Sequence, residues 1–226
     1  MKNKKTEFSK TVFEQQNTFN NIADTDSETC IPGKFGFINK TGYSKKLNDR
    51  FIFVFDLDNT LVKTNRANNM AYKEAIRTIV GMDIPMKHRR FTRSNLLTVL
   101  PNLAEPEFNA IIKLKEELYT NHLQETTLNR QLLKILRLRN HVGDETILLT
   151  ECSKTRAKQV CDYHSLTPFF DKSYYKDDMG SINKYQYLKG ILSSLGSVIL
   201  FENEQTEIKR AKQYGIPENQ IITIKF

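Results

Sequence analysis

Short apolar runs recur along the chain from residue 51 onward, separated by longer stretches whose apolar residues return every three or four positions. FIFVF (51–55), TILLT (146–150), FFDKSYY (169–175), SVILF (197–201) and the closing IITIKF (221–226) are strand-sized, and FIFVF is apolar throughout. A continuous apolar run of this length suits a strand buried on both faces. Helical spacing governs the block from Thr64 to about Gly143. It is carried by Met70, Ala71, Ala75, Ile76, Ile79 and Val80, then Phe108, Ile111, Ile112, Leu114 and Leu118, then Leu132, Leu133 and Leu136. Pro85, Pro101 and Pro106 divide that block into separate helices. Further helices are expected in SKTRAKQVCDYHSL, NKYQYLKGILSSLG and EQTEIKRAKQYG, the last ended by Gly215. Strands alternating with helices imply right-handed crossovers and a parallel sheet, so the long helical block forms a separate lid beside that sheet. Residues 1–50 are a polar extension with a weak helical pattern at Phe8–Phe19 and, at 33–50, aromatics flanking an Asn-Lys-Thr-Gly turn that suggests a hairpin.

Composition narrows the class. Hydrophobic residues make up 39% and charged residues 27% of the 226 positions, as in ordinary globular proteins. The formal net charge of +8 points to an anionic partner, with a phosphorylated small molecule, nucleic acid and a merely basic cytosolic surface all compatible. Cys30, Cys152 and Cys161 form no CxxC or Cys/His cluster, which argues against a disulfide framework or zinc site and for a reducing compartment. The basic N-terminus has no apolar run of a secretory signal, and no segment reaches membrane-spanning length. The expected location is cytoplasmic, without a membrane partner.

Within FVFDLDNTLVKT (53–64) the apolar run stops on Asp56 and Asp58, followed at once by Asn59 and Thr60. An Asp-rich turn satisfying backbone donors is the plain reading of such a stretch. Two later strands also end on polar groups, Thr150 after ILL and Glu202-Asn203 after VILF. Binding crevices of open parallel sheets lie at the carboxyl ends of the strands, so these clusters are expected to meet in one polar mouth.

FDLDNTL resembles the hhhDxDxT motif of the haloacid dehalogenase-like (HAD) superfamily, largely phosphatases and phosphotransferases, and the similarity spans residues 51–226. The resemblance implies an α/β fold: a Rossmann-like three-layer parallel sheet core (51–63 and 144–226) with an inserted all-helical cap (64–143). It implies Asp56 as a nucleophile that takes the phosphoryl group as an aspartyl-phosphate, and Asp58 as general acid and then base. A carboxylate is a weak nucleophile, so this chemistry needs close positioning and charge neutralisation. A Mg2+ ion held by Asp56, the Asp58 carbonyl and the phosphate would supply the latter. ILLTECSKTRA resembles the second motif, with Thr150 donating to a phosphate oxygen, although Glu151 stands where a small or amide residue is usual. Lys184 is the best match for the third-motif lysine, with Lys189 and Lys176 as fallbacks. SVILFENEQTEIKRAKQYG resembles the fourth motif. There Asn203 falls on the usual metal-binding aspartate, with Glu202 as a compensating metal ligand, and Thr60 and Glu207 are additional candidates.

KHRRFTR (87–93) offers cations for a phosphate, a sugar phosphate or a polynucleotide backbone, with Phe91 available to stack on a base, or else forms a solvated face. RQLLKILRLR (130–139) reads as an ordinary amphipathic helix, and the histidines have no metal-ligand spacing. The leading expectation is a magnesium-dependent phosphatase acting on a small phosphorylated metabolite. Asn203 and Glu151 keep open a catalytically weak HAD-like module that binds a ligand or partner. The basic stretch keeps open a nucleic-acid end phosphatase.

Overall fold

The computed structural model describes residues 51–226, so the helical pattern at Phe8–Phe19, the turn at 33–50 and Cys30 lie outside the described residues. The central strand is β1 (Ile52–Phe55). Apolar side chains pointing both ways suit the middle of a sheet. β1 pairs in parallel with β4 (Glu145–Leu149) on one side and β6 (Val198–Glu202) on the other. β5 (Lys172–Tyr174) and β7 (Ile221–Thr223) complete a parallel sheet of order β5-β4-β1-β6-β7. Register places Phe55 between Leu148 and Phe201, so the chain leaves β1, β4 and β6 at the same edge.

Alternation along the strands sends one set of side chains to each face. Val54, Ile147, Leu149 and Leu200 form a buried cluster with Tyr185 and Leu188 of α7 (Lys184–Ile191) and Ile208 and Ala211 of α8 (Gln205–Gln213). On the opposite face Phe55 and Phe201 stack with ring centroids 4.7 Å apart, and the Arg139 guanidinium of α4 (Arg130–His141) lies 4.8 Å from the Phe53 ring. Helices therefore cover both faces, giving the three layers expected from sequence. α5 (Lys154–Tyr163) and the short α6 (Lys176–Met179) fill the connections around β5. That strand is shorter than FFDKSYY suggested, because Thr167–Phe169, with Pro168, turns as a 3-10 helix before it.

Between β1 and β4 the chain builds β2 (Val62–Lys63), α1 (Asn65–Val80), α2 (Arg93–Val99), α3 (Glu105–Leu118), a 3-10 segment (Tyr119–Glu125) and β3 (Thr127–Leu128) before α4. β2 and β3 pair antiparallel, Val62 opposite Leu128, and so close the two ends of this excursion onto each other. α1 stops at Gly81, whose φ of 71° is left-handed and comfortable for glycine. Thr92 and Asn95 cap α2 reciprocally. Tyr72, Ala75, Ile76, Ile84, Phe91, Leu96 and Ile111 make a core of their own. α4 behaves differently: Leu132 and Leu136 are buried, and its Arg137 and Arg139 lie over Phe169 and Phe53 beside the sheet. It is the crossover helix into β4, whereas the sequence boundary at 143 had grouped it with the lid.

Phe201→Ala removes a fully buried ring stacked on Phe55. It is expected to cost about 3–5 kcal/mol in urea unfolding. A loss under about 1 kcal/mol would place that ring outside the core.

Candidate active site

Asp56 directly follows β1, and its amide donates to Phe201 O at 3.1 Å. The chain then turns through Asn59, which adopts the left-handed φ of 59° that asparagine tolerates better than most residues. The Leu57 carbonyl accepts from the amides of Thr60, Leu61 and Val62, and the Asn59 side chain accepts from the Thr64 amide. This tight turn directs Asp56 and Asp58 into one cavity of about 320 Å³. Thr150 from the end of β4, Lys184 from the start of α7 and Glu202-Asn203 from the end of β6 line the same cavity. The residues singled out from sequence are thus brought together. The fallback lysines are not among its lining residues: Lys176 and Lys189 are both exposed.

Lys184 is the hub. Its Nζ donates to Asp56 Oδ1 at 2.9 Å and to Glu202 Oε2 at 2.7 Å, and all three side chains are almost fully buried. Asn183 supplies the N-cap that starts α7 here, its Oδ1 accepting from the Tyr185 amide. Burial would lower the Lys184 pKa, but the charges of Asp56 and Glu202 reverse this and hold it well above the usual lysine value. The same burial, with Glu202 behind it, pushes the Asp56 carboxyl up to about 7 against the pull of Lys184. Tyr185 Oη donates to Glu202 Oε2, while the Asn203 and Glu204 amides donate to Oε1. Both oxygens of Glu202 are therefore engaged in positioning Lys184 and the β6 turn.

Thr60 Oγ1 lies 3.0 Å from both Asp56 Oδ2 and Asn203 Oδ1, so its single proton is shared between them. Thr150 is buried and its hydroxyl oxygen accepts from the Cys152 amide. Glu207 also lines the cavity, but its carboxylate accepts from Asn183 and pairs with Arg210. Exposed Glu151 sits at the rim.

Asp58 has partners that sequence reasoning did not assign to it. Its Oδ2 accepts from Arg156 Nη2 at 2.8 Å and Arg90 Nη2 at 3.2 Å, and its Oδ1 accepts from Thr64 Oγ1 at 2.5 Å. Burial alone would raise this carboxyl, but the guanidiniums of Arg156 and Arg90 hold it well below the usual carboxylate range. Arg90 belongs to the KHRRFTR stretch, which the sequence left open as an anion grip or a solvated face, and it lines the cavity. Arg156 and Thr64 were not identified; the cue lay in asking which cations a buried DxD would need. Phe91 does not face a ligand: it is 1% exposed and packs against Tyr72 and His88. Cys152 and Cys161 are buried free thiols.

Among the described residues no group of three or more His, Cys, Asp or Glu side chains is placed to hold a metal ion. The cavity nevertheless offers hard oxygen donors, Asp56 and the Asn203 amide, and its lining carboxylates outnumber Arg90, Arg156 and Lys184. Such a set fits a cation like Mg2+, which takes one or two protein carboxylates and completes its shell with water and phosphate oxygens.

Lys184→Met would leave two buried carboxylates facing each other, a change expected to cost about 3–5 kcal/mol near neutral pH. Lys184 lowers the Asp56 pKa, so its removal raises that value further. A carboxyl whose folded pKa is raised stabilises the fold while protonated and loses that contribution as pH rises. The deficit of this variant should therefore be smaller at pH 5 than at pH 8 in urea unfolding, and an equal deficit at both would refute the coupling.

No family model matches the sequence, and no curated protein matches it. Solved structures do. A haloacid dehalogenase-like family hydrolase from Streptococcus pneumoniae is 17% identical, with a TM-score of 0.62 over 78% of this chain and 85% of its own. A HAD-superfamily hydrolase of subfamily IA from Geobacter sulfurreducens is 11% identical, with a TM-score of 0.59 over 77% of this chain and 87% of its own. CbbY from Rhodobacter sphaeroides, solved in complex with phosphate, is 16% identical, with a TM-score of 0.57 over 74% of this chain and 84% of its own. Likeness at these identities is likeness of fold: residues 51–226 adopt the Rossmann-like α/β fold of the haloacid dehalogenase-like superfamily.

Proposed function

We propose that the chain is a magnesium-dependent phosphomonoester hydrolase acting on a small phosphorylated metabolite through an aspartyl-phosphate on Asp56. The observation that carries this reading is the convergence of Asp56, Asp58, Thr150, Lys184 and Asn203 around one cavity of about 320 Å³, with Thr60 bonded to Asp56 and Asn203 behind it. That volume suits a small molecule. CbbY, which shares the fold, was solved with phosphate.

In this reading Asp56 Oδ2 attacks phosphorus, while Lys184 holds Oδ1 and neutralises charge on the carboxylate and the incoming phosphate. The Thr150 hydroxyl donates to a phosphoryl oxygen. Asp56, the Asp58 carbonyl and the Asn203 amide would hold Mg2+, which supplies charge neutralisation for the phosphoryl oxygens. Glu202 is left out of that set, because four donors already occupy it. An amide in place of a carboxylate gives the cation no charge, so its affinity should be modest. Asp58 protonates the leaving oxygen and then takes a proton from the attacking water. In the described arrangement it is a carboxylate tied to Arg90 and Arg156, so substrate binding must exchange those contacts and Asp58 must take up a proton from water before it can serve as acid. We further propose that α1–α3, with their own core, act as the cap that closes over the substrate and excludes water. The expected location remains cytoplasmic.

One observation favours the weaker alternative, a ligand-binding module with little turnover: Asp58 is held as a carboxylate while Asn203 supplies no charge. A nucleic-acid end phosphatase rests on the net charge and the 87–93 stretch, and the burial of Phe91 leaves that stretch its cations without a ring to stack on a base.

Asp56→Asn should abolish hydrolysis of an aryl phosphate, by at least about a thousandfold, while leaving the circular dichroism spectrum unchanged. Full turnover in that variant would remove Asp56 as nucleophile. With wild-type protein, Mg2+ plus a phosphate mimic should raise the melting temperature by several degrees. No shift, together with no turnover, would select the binding module.

A further inference from the structure

The two arginines on Asp58 have more to explain than the neutralisation of one carboxylate. Arg156 is fixed on every side: its Nε donates to Cys152 Sγ at 2.9 Å, its guanidinium sits 5.4 Å from the Tyr119 ring, and its Nη1 lies 3.7 Å from Glu116. Glu116 is shared, because Lys115 Nζ donates to the same oxygen at 3.0 Å. Arg90 is presented by a segment pinned to α1. Asn68 donates to Phe91 O, and Asn69 donates to His88 O while accepting from the Phe91 amide. Both guanidiniums line the cavity that contains Asp56.

If Asp58 turns to the leaving oxygen, as the proposed function requires, these cations lose their shared carboxylate and cannot follow it. Arg156 has a side chain only 11% exposed, so water compensates it poorly. Another anion must then take the place of Asp58. In the proposed function the transferred phosphoryl group would face Lys184 and Thr150, whereas the arginines gather on Asp58, which would be the side of the leaving group. We propose that Arg90 and Arg156 form a receptor for a second anionic group, a carboxylate or phosphate, on the leaving-group part of the substrate, and that Asp58 fills this receptor until substrate arrives. Planar guanidinium forks suit either group. The inference rests on the phosphatase reading and narrows its substrate class to two-anion compounds.

The test compares three-carbon compounds matched in length: glycerol 3-phosphate with one anionic group, 3-phosphoglycerate with an added carboxylate, and 1,3-propanediol bisphosphate with an added phosphate. Wild-type kcat/KM should favour at least one two-anion compound by tenfold or more, and the preferred arm identifies the second group. Arg156→Met and Arg90→Met should each reduce that preference at least tenfold, chiefly through KM, with Arg156→Lys restoring part of it. A wild-type preference near one overturns the proposal. So does an equal fall in kcat/KM for all three compounds, which would put the arginines on the transferred phosphoryl group. Should Arg156→Met fail to fold, the more exposed Arg90 decides. If wild-type protein turns over none of these compounds and no aryl phosphate, the phosphatase reading fails separately. Equilibrium binding of the same compounds with Mg2+ then decides the receptor: tighter binding of a two-anion compound supports it, and equal binding refutes it.

Discussion

A buried ammonium between two buried carboxylates is the constraint on which the rest depends. β1 and β6 are adjacent parallel strands in register, with Phe55 opposite Phe201, so Asp56 and Glu202 emerge side by side. Unneutralised, they would oppose the strand pairing that puts them there. Lys184 lies between them, and Tyr185 and two backbone amides complete the hydrogen bonding of Glu202. Buried charge is tolerable when paired and fully hydrogen-bonded, and Glu202 meets that condition. Asp56 does not meet it to the same degree. It has Lys184 on one oxygen and half of a threonine proton on the other, and it is the group whose carboxyl is pushed up. The network therefore stabilises its scaffold end and leaves its cavity end undersupplied, a condition that suits the electrophile and cation of the proposed function.

The charge of the molecule is inverted at this point. The chain as a whole carries +8, yet carboxylates predominate around the cavity. An anionic substrate would not enter such a mouth on the field of its lining alone. The net positive charge can raise the encounter rate, while in the proposed function the final contact falls to Lys184, the arginines and a cation. Asn203 fits this balance in a specific way: replacing a carboxylate by an amide reduces the local negative charge while keeping an oxygen near Asp56 and Thr60.

What the sequence made legible was what is local. FIFVF, TILLT and SVILF become strands because their side chains serve both faces, and each shifts by no more than one residue in the structure. Asp56, Thr150 and Glu202-Asn203 could be read as strand-end residues because the parallel sheet sends all such ends to one edge. Partners set by tertiary packing stayed hidden. The sequence places Arg156 only within an expected helix and Thr64 only at the start of the helical block, with no partner for either. Glu202 looked like a metal ligand because nothing in its local sequence announces that Lys184, Tyr185 and two amides reach it. Phe91, in a basic run, looked available until its ring was seen packed on Tyr72. α4 has the same amphipathic pattern as the helices before it; only its packing shows that it belongs to the sheet.

Asp58 links the two parts of the described chain, and this follows from where its partners lie. Thr64 directly precedes α1, its hydroxyl donating to Asp58 and not capping the helix, and Arg90 lies in the loop between α1 and α2, both beyond the end of β2. Arg156 belongs to α5, on the sheet side. The pair itself is anchored close to Asp56, since the Asn129 amide donates to Leu61 O and its side chain to Thr60 O. A displacement of α1–α3 about β2–β3 would thus strain Arg90–Asp58 and Thr64–Asp58 while leaving Arg156–Asp58 intact. One carboxylate is shared between a partner that would move with the helices and one that would stay with the sheet. Its release is consequently tied to the position of the helices, so the availability of Asp58 depends on where α1–α3 sit relative to the sheet.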